Sequence, residues 1–386
     1  MSQPPADAYE LGPEHQAFQR SCHDFVVNKL LPLVPEAERT GSFPAVIWPE
    51  LSAAGLLGVG HPEEYGGSGG DTLAIALLAE ELAGACGGLA VTILVSAYMA
   101  APHLSRYGSA QLKERYLRPI LDGKKVAAIA VTEPAAGSDV AGIRTVARPA
   151  GDGYVLTGSK TFITNGQLAD VVLVAAKTDP AGGHQGITLF AVEPGTPGFA
   201  VGQPFAKMGW HSSDTRELFF EDCHVSAAAI VGEPGRGFHQ IMRAFATERI
   251  ALAGMSIGLA QAALDDALAH AKNREAFGHR LVEHQAMRHL LAEMAVDVDT
   301  ARLVTYQASC RLDRDDPRAR TSVAAAKLVA ARIANTVVDR AVQIHGGYGF
   351  IEDSRVAMHY RDARILRIGG GTDEIQLEIL GKALTR

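Results

Sequence analysis

AVTEPAAGSD at residues 130–139 and GSKTFITNG at residues 158–166 belong to a stretch of β-branched and aromatic runs that starts near residue 126. The runs are bounded by Gly, Asp, Asn and Pro, which end strands and form turns. They are VAAIAVTEP (126–134), GYVLTGSKTFITNG (153–166), DVVLVAAKTD (170–179), GITLFAVEPG (186–195) and RELFFEDCHV (216–225). This pattern predicts a compact β domain over residues 126–235.

Helical periodicity flanks this stretch on both sides. From about residue 13 to 125, apolar residues recur at spacings of three and four, as in DTLAIALLAEELAGACGGLAVTILVSAYMA (71–100). The same spacing returns after GEPGRGF (232–238), and DRDDPRAR (313–320) indicates a turn between long helices. We predict an α+β multidomain fold with an N-terminal α-helical domain (1–125), a middle β-barrel-like domain (126–235) and a C-terminal four-helix-bundle domain (236–386).

Composition and charge exclude several classes of protein. Hydrophobic residues make up 47% of the chain and charged residues 20%, which argues against disorder. The net charge of −7 comes with no basic run, so we expect no nucleic-acid partner. We find no apolar run of membrane-spanning length and no leader pattern in MSQPPADAYELG (1–12), and we therefore expect no membrane partner and a cytoplasmic location.

Cysteine and glycine spacings exclude other sites. Cys22, Cys86, Cys223 and Cys310 lie far apart without a CxxC or Cys/His pattern, which predicts buried free thiols and no metal site. No glycine cluster forms GxGxxG between a strand and a helix, and none is a phosphate loop. These absences disfavour a Rossmann NAD enzyme and a P-loop NTPase.

The two opening motifs, with later segments in matching order and spacing, resemble the acyl-CoA dehydrogenase family. The later segments are FEDCHV (220–225), GEPGRGF (232–238), REAFG (274–278), EHQ (283–285), QIHGGYGF (343–350), RDAR (361–364) and GGGTDEIQ (369–376). The resemblance spans the chain and is closest to the isovaleryl-CoA and long-chain branches. It implies a flavoprotein of fatty acid or amino acid catabolism that binds FAD non-covalently and forms a homotetramer, a dimer of dimers.

The resemblance also implies which residues bind FAD. The flavin ring would lie between the β domain and the C-terminal helices, with Phe162 in place of the tryptophan of many relatives. Positions matched to the flavin side are Val131, Thr132, Ser138, Phe162, Ile163, Thr164, Thr372 and Glu374. Positions matched to the pyrophosphate and adenosine of a neighbouring subunit's FAD are Arg274, Phe277, Gln343, Gly346 and Gly347, and Gln285 is a further cofactor-binding position.

The implied reaction is α,β-dehydrogenation of an acyl thioester. A carboxylate takes the α-proton while the β-hydrogen leaves as hydride to flavin N5, and a backbone amide, here that of Gly370, polarises the thioester carbonyl. Ser138 and Arg249 match positions near the pantetheine arm and the entrance of the site. Leu94, Val95 and Tyr98 are expected to border the acyl tunnel, and an electron-transferring flavoprotein would reoxidise the cofactor by analogy.

The catalytic base is predicted to be Glu248. Many relatives carry a glutamate directly before the Gly-Thr of the C-terminal motif, where this chain has Gly370, while the isovaleryl and long-chain branches place the base in a Glu-Arg pair after the β domain. Glu248-Arg249 matches that pair. The carboxylate also falls in an apolar stripe at helical spacing, which would raise its pKa toward that of a general base. The stripe is Ile241, Phe245, Glu248, Leu252, Met255 and Leu259.

Two alternatives stay open at the level of sequence. The same chemistry could act on an acyl or aminoacyl thioester of a carrier protein, because the pantetheine arm is common to both carriers. The fold could also serve a base-free flavin monooxygenase or oxidase, a class that loss of the catalytic carboxylate would favour.

Overall fold

The computed structural model describes residues 11–385. Residues 1–10, which are most of the segment searched for a leader pattern, and Arg386 lie outside the described residues. The first third is helical and ends before residue 122. Its helices are α1 (Pro13–Phe25), α2 (Val34–Thr40), α3 (Ile47–Ala53), α4 (Thr72–Ala85), α5 (Gly87–Leu94), α6 (Ala101–Tyr107), α7 (Ala110–Leu112) and α8 (Arg118–Leu121).

The middle third forms one seven-stranded sheet. The strands are β1 (Ala127–Ala130), β2 (Val146–Ala150), β3 (Gly153–Thr164), β4 (Val171–Lys177), β5 (Ile187–Val192), β6 (Phe199–Pro204) and β7 (Thr215–Ser226). Their order is β1-β4-β2-β3-β7-β6, with β5 antiparallel to β4. The continuous apolar runs of β4 and β5 are buried on both faces, whereas β7 alternates buried and exposed side chains.

The last third is helical again. It contains α9 (Gly237–Asn273), a hairpin of β8 (Glu275–Ala276) and β9 (His279–Arg280), then α10 (Gln285–Asp313), α11 (Ala319–His345), α12 (Arg355–Ala363) and α13 (Asp373–Leu384). The predicted turn at 313–320 separates α10 from α11. Thr372 caps α13, because its hydroxyl accepts the N–H of Ile375. The chain is therefore helical, then β, then helical, as the periodicity predicts.

The helices of both ends share a single core. Its largest cluster joins buried residues of α4 and α5 to residues of α9, α10 and α11. Helices α4 and α9 approach closely at Gly258, where a Cβ would lie 2.0 Å from the carbonyl oxygen of Glu80. The long helix α9 thus connects the N-terminal helices to the C-terminal bundle, and its first turns follow directly from the sheet.

Two helical stretches contradict the expectation that no apolar run reaches membrane-spanning length. Gly87–Tyr107 and Ala319–Phe350 are helical stretches long and apolar enough to cross a membrane by length and composition alone. In the first, 94% of the apolar window is buried inside the protein, and in the second 56%. Core helices of water-soluble proteins pass the same test, so these stretches are weak support for a membrane span. Of the four free cysteines, three are buried and Cys310 is only half-buried.

Candidate active site

Glu248 lies on α9 where that helix passes between the N-terminal helices and the C-terminal bundle. The stripe expected around it is real: Ile241, Leu252, Met255 and Leu259 are buried. Burial raises the pKa of the partly buried Glu248 to about 7, against the opposing charges of Arg249 and Lys327. A carboxylate with this pKa can hold or release a proton near neutral pH.

A loop of three glycines lies against this carboxylate. A Cβ built on Gly370 would be 3.4 Å from Oε1 of Glu248 and 2.2 Å from Cδ1 of Leu252. Gly370 has φ +64° and Gly371 φ +92°, conformations that favour glycine. The N–H of Gly370 donates to no acceptor in the described chain. The structure thus brings both predicted catalytic residues together, with an amide free to bind an oxygen.

Three polar side chains hold the carbonyls of this loop. Nε of Arg249 donates to the carbonyl of Gly370 at 3.2 Å, and its guanidinium lies over the ring of Phe245. Nζ of Lys327 donates to the carbonyl of Gly371 at 2.7 Å, and Nε2 of Gln376 donates to the same oxygen at 2.9 Å. The sequence analysis identified Arg249 and missed Lys327, although a lysine within the apolar stripe of α11 is a signal of the same kind as Glu248.

On the β domain, an irregularity in β3 turns Phe162 outward. The β3–β7 register shifts between Lys160 and Ile163, and Phe162 has φ +58° with 65% of its surface exposed. Bulges redirect side chains in this way. Its neighbour Ile163 is 3% exposed and belongs to the sheet's core, so only its backbone is available to a ligand.

A buried ion pair ties the two opening motifs together. Nζ of Lys160 donates to Oε1 of Glu133 at 2.7 Å and to the carbonyl of Val131 at 3.1 Å. The N–H of Thr161 donates to the carbonyl of Thr132 at 2.9 Å, and Glu133 also accepts the N–H of Thr145. Val131, Thr132 and the strand that carries Phe162 are therefore fixed relative to each other.

The residues matched to the nucleotide part of FAD lie apart from this site along the chain. Arg274, Gly346 and Gly347 line a cavity of about 460 Å³ with Leu281, Ile344 and Tyr348, among other residues. Arg274 is exposed, and its guanidinium makes no ion pair or hydrogen bond to a residue in the described range. A Cβ at either glycine would meet nothing within 4 Å, which leaves the backbone open to an approaching group. An exposed guanidinium beside accessible backbone is able to bind an anionic group.

Five other residues predicted to bind the cofactor or the substrate are exposed on the surface. Gln285 begins α10 and Gln343 lies near the end of α11; both are exposed, as are Ser138 and Glu374, and Phe277 is 95% exposed with φ +56°. Gln285, Gln343 and Phe277 do not line the cavity beside Arg274.

The residues expected to border an acyl tunnel are buried. Leu94 and Tyr98 belong to the helical core, and Val95 begins a π-helical turn, Val95–Ala100. The Tyr98 hydroxyl donates to the carbonyl of Leu56. Across residues 11–385, no group of three or more His, Cys, Asp or Glu side chains could hold a metal ion.

Three family models match the chain in succession. They are the N-terminal, middle and C-terminal domains of acyl-CoA dehydrogenase, at residues 12–124, 128–223 and 235–385. The chain belongs to the acyl-CoA dehydrogenase family. The resemblance inferred from the motifs is thereby confirmed over nearly the whole sequence.

Individual acyl-CoA dehydrogenases agree with this assignment. The short-chain-specific acyl-CoA dehydrogenase of Megasphaera elsdenii is 42% identical over 96% of this chain and 98% of its own length. The structure of butyryl-CoA dehydrogenase from the same organism matches with a TM-score of 0.94 and 40% identity, over 98% of this chain and all of that one. These two proteins carry short-chain names, whereas the position of the base suggested the isovaleryl and long-chain branches.

A third match lies further away in sequence. The structure titled "PigA with FAD and proline" is 28% identical and matches with a TM-score of 0.94 over 98% of this chain and 99% of that one. Its fold is the same three-part arrangement of acyl-CoA dehydrogenases.

Proposed function

We propose that the protein is an FAD-dependent acyl-CoA dehydrogenase that converts an acyl thioester into its 2-enoyl thioester, with Glu248 as the base. The observation that carries the proposal is the carboxylate of Glu248, with its pKa raised to about 7, beside the unpartnered N–H of Gly370. An α-proton next to a thioester is weakly acidic, and a base and an oxyanion donor at one point are what its removal requires.

Glu248 and Gly370 would have separate roles, the first in proton transfer and the second in stabilising the negative charge on the thioester oxygen. Ionised Glu248 takes the α-proton, and the N–H of Gly370 donates to the thioester oxygen as negative charge develops there. Bound FAD supplies the acceptor for the β-hydrogen as hydride. Arg249 orients the Gly370 peptide through its carbonyl, and its charge favours the ionised form of Glu248.

The residues present fit FAD at two places. Phe162, turned outward at its bulge, offers an aromatic face for the flavin ring. Its strand is tied to the carbonyls of Val131 and Thr132, which accept hydrogen bonds from Lys160 and Thr161. Arg274, beside two glycines that leave the backbone accessible, suits a pyrophosphate. We assign the flavin to the first place and the nucleotide of a neighbouring subunit's FAD to the second, without a covalent link.

For the substrate, we propose a short acyl chain carried by CoA. The support is that the Megasphaera elsdenii relatives carry the names short-chain specific and butyryl-CoA dehydrogenase. An aminoacyl group on a carrier protein is the second candidate, favoured by the match to the structure of PigA with FAD and proline. Assaying butyryl, isovaleryl, octanoyl and prolyl groups, each as CoA ester and as carrier-protein ester, separates the two.

We further propose a homotetramer as the working form, an electron-transferring flavoprotein as electron acceptor, and the cytoplasm as location. Of these three, the assembly bears on the site itself, and a site shared between subunits needs at least a dimer. If Arg274 binds a neighbour's cofactor, one chain alone holds FAD incompletely.

The decisive variant is Glu248→Gln. It keeps the shape of the side chain but cannot take a proton, so flavin reduction by butyryl-CoA under anaerobic rapid mixing should slow by roughly 10²–10⁴-fold. FAD content should stay unchanged. Glu378→Gln, at an exposed acid of α13 outside the proposed site, serves as the control and should reduce its flavin at the wild-type rate.

The alternatives predict other results. If Glu248→Gln reduces its flavin as fast as wild type, Glu248 is not the base. A wild-type flavin that no thioester bleaches, but that an external reductant and oxygen turn over, would indicate a monooxygenase.

A further inference from the structure

The Gly369–Gly371 loop has no side chains of its own to fix its peptide planes. Its direction is set from outside, by donors on three different elements. Arg249 of α9 holds the carbonyl of Gly370, while Lys327 of α11 and Gln376 of α13 hold that of Gly371. The free N–H of Gly370 lies one peptide plane before the carbonyl that Arg249 binds and two before the carbonyl that Lys327 and Gln376 bind, so its orientation depends on these bonds.

We propose that Lys327 is a positioning residue for the dehydrogenation, because its ammonium orients the Gly370–Gly371 segment and places a positive charge behind Glu248. The inference rests on the function proposed above and extends it to a residue whose side chain is fully buried. Lys327 would act through the loop carbonyl and through the field at the base.

The burial of Lys327 argues for a role that packing does not explain. Its side chain is fully buried in the apolar face of α11, among Val323, Ala326 and Ala330. Burying an ammonium costs several kcal/mol unless partners compensate it, and a methionine would fill the same space without that cost. The one hydrogen bond that the ammonium of Lys327 makes to a described residue is the bond to the carbonyl of Gly371.

No carboxylate within residues 11–385 forms a close ion pair with Lys327. Asp373, the nearest acid on α13, binds Arg332 and Arg367 instead, at 3.0 and 2.7 Å. An isolated buried ammonium with a single carbonyl partner is unusual for a structural lysine. The burial of this ammonium is explained if its charge acts on the carbonyl of Gly371 and on the carboxylate of Glu248.

The charges that face the pair come from several elements. Glu248 faces Arg249 on its own helix and Lys327 on α11, and both favour its ionised form. Lys327 in turn faces Asp373 and Glu248, which favour its charge, and Arg249 and Arg367, which oppose it. Burial lowers the pKa of Lys327 to about 8. The positive charge of Arg320 lowers the pKa of Arg249.

The test is the pH dependence of flavin reduction in Lys327→Met. Without the nearby cation the pKa of Glu248 rises, so the rate profile should move to higher pH, by about one unit. The limiting rate at high pH should also fall, about tenfold, because the Gly370 N–H loses its orientation. The measurement uses the FAD-loaded protein with butyryl-CoA between pH 5.5 and 9.

Two other variants separate orientation from charge. Gln376→Leu removes the neutral donor from the same carbonyl and should lower the limiting rate without moving the profile. Lys382→Met removes a lysine from an exposed pair with Glu378 and should change neither. A general loss of stability would lower the melting temperature and leave the profile where it is.

The outcomes are distinct. If Lys327→Met keeps the wild-type profile and limiting rate, the inference is wrong while the proposed function stands. If no thioester reduces the wild-type flavin, both fail. Should Lys327→Met not fold, Lys327→Gln carries the same two measurements, and failure of both variants to fold would make Lys327 a structural residue and overturn the inference.

Discussion

At Glu248 the requirements of stability and of reactivity oppose each other. An ionised carboxylate in an apolar stripe is unfavourable, which is why burial raises its pKa from 4.5 to about 7. The base is useful for the same reason, since its proton affinity then lies near neutral pH. The protein accepts a local loss of stability at the residue that we assign to proton transfer.

This opposition gives a test independent of activity. A raised carboxyl pKa contributes stability that is complete below pH 4.5 and lost as the pH rises through 7. Glu248→Gln has no such loss, so its melting temperature should exceed that of wild type by a margin that grows between pH 5 and pH 8. Differential scanning fluorimetry measures it. A margin that is constant with pH would mean that Glu248 titrates normally.

Two signals in the sequence together predict Glu248 as the base: the absence of a glutamate at Gly370 and an acid within an apolar stripe. Lys327 gave the second signal only. The sequence does not show the backbone conformation at Gly370. Its φ of +64° and the methyl group of Leu252 beside it decide whether a glutamate fits at this position. Moving the base to Gly370 therefore requires Leu252 to shift and a strained peptide to persist.

At the scale of elements, the motifs AVTEPAAGSD (130–139) and GSKTFITNG (158–166) form one structural unit, because a buried ion pair joins them. The buried Lys160–Glu133 pair fixes β3 to the segment after β1, and burial lowers the pKa of Lys160 to about 8 although Glu133 opposes this. Removing one partner leaves the other buried and uncompensated. This explains why the motifs occur together, which the sequence shows as a pattern without its cause.

Lys160→Met should therefore destabilise the protein by about 3–5 kcal/mol, the usual cost of breaking a buried pair. It should also lower the flavin content, because the carbonyl of Val131 loses its donor. Chemical denaturation and the ratio of flavin to protein absorbance measure the two effects. Lys177→Met, at a half-buried lysine of β4, is the control; equal effects in both variants would refute a special role for the pair.

Helix packing offers a second test at this scale. Gly258→Ala would drive a methyl group into the backbone of α4 at Glu80, so we expect a loss of more than about 2 kcal/mol in unfolding free energy. Gly381→Ala, on α13 with nothing near its Cβ, should stabilise by up to about 1 kcal/mol. If Gly258→Ala behaves like Gly381→Ala, α4 and α9 are further apart than described.

Five of the seven sheet strands follow the predicted runs, and the other two show what hides a strand. β2 reads VARPA and β6 reads FAVGQP, each with a proline, and β6 also with a glycine. Both residues weaken the pattern of a strand. β6 pairs only with β7 and lies at the edge of the sheet, where tertiary pairing fixes a segment that its own sequence specifies poorly.

At the scale of the whole molecule, the proposed site is divided between two surfaces. The base and the loop belong to the interior between α9, α11 and α13, whereas the cavity beside Arg274 opens outward. Tyr348 lines that cavity and is exposed, and two phenylalanines close in sequence to lining residues, Phe277 and Phe350, are 95% and 89% exposed. Such exposure indicates a surface that another molecule covers.

Arg274→Ala tests whether that molecule is a second chain holding FAD. A charge-assisted bond between a guanidinium and a phosphate is among the stronger polar contacts, and its loss should weaken FAD binding roughly ten- to hundredfold. Flavin absorbance per protein should fall after gel filtration and recover at excess FAD. Arg280→Ala, at an exposed arginine of β9 a few residues away, is the matched control and should keep its flavin.

Mass photometry of the same samples ties flavin to assembly. If the cofactor bridges two chains, the flavin-depleted Arg274→Ala protein should contain more dissociated species than Arg280→Ala, and added FAD should restore the tetramer. A wild-type protein that keeps one tightly bound FAD per chain as a monomer would contradict the shared site. Full flavin occupancy in Arg274→Ala would remove Arg274 from it and leave the exposed aromatic patch to another partner.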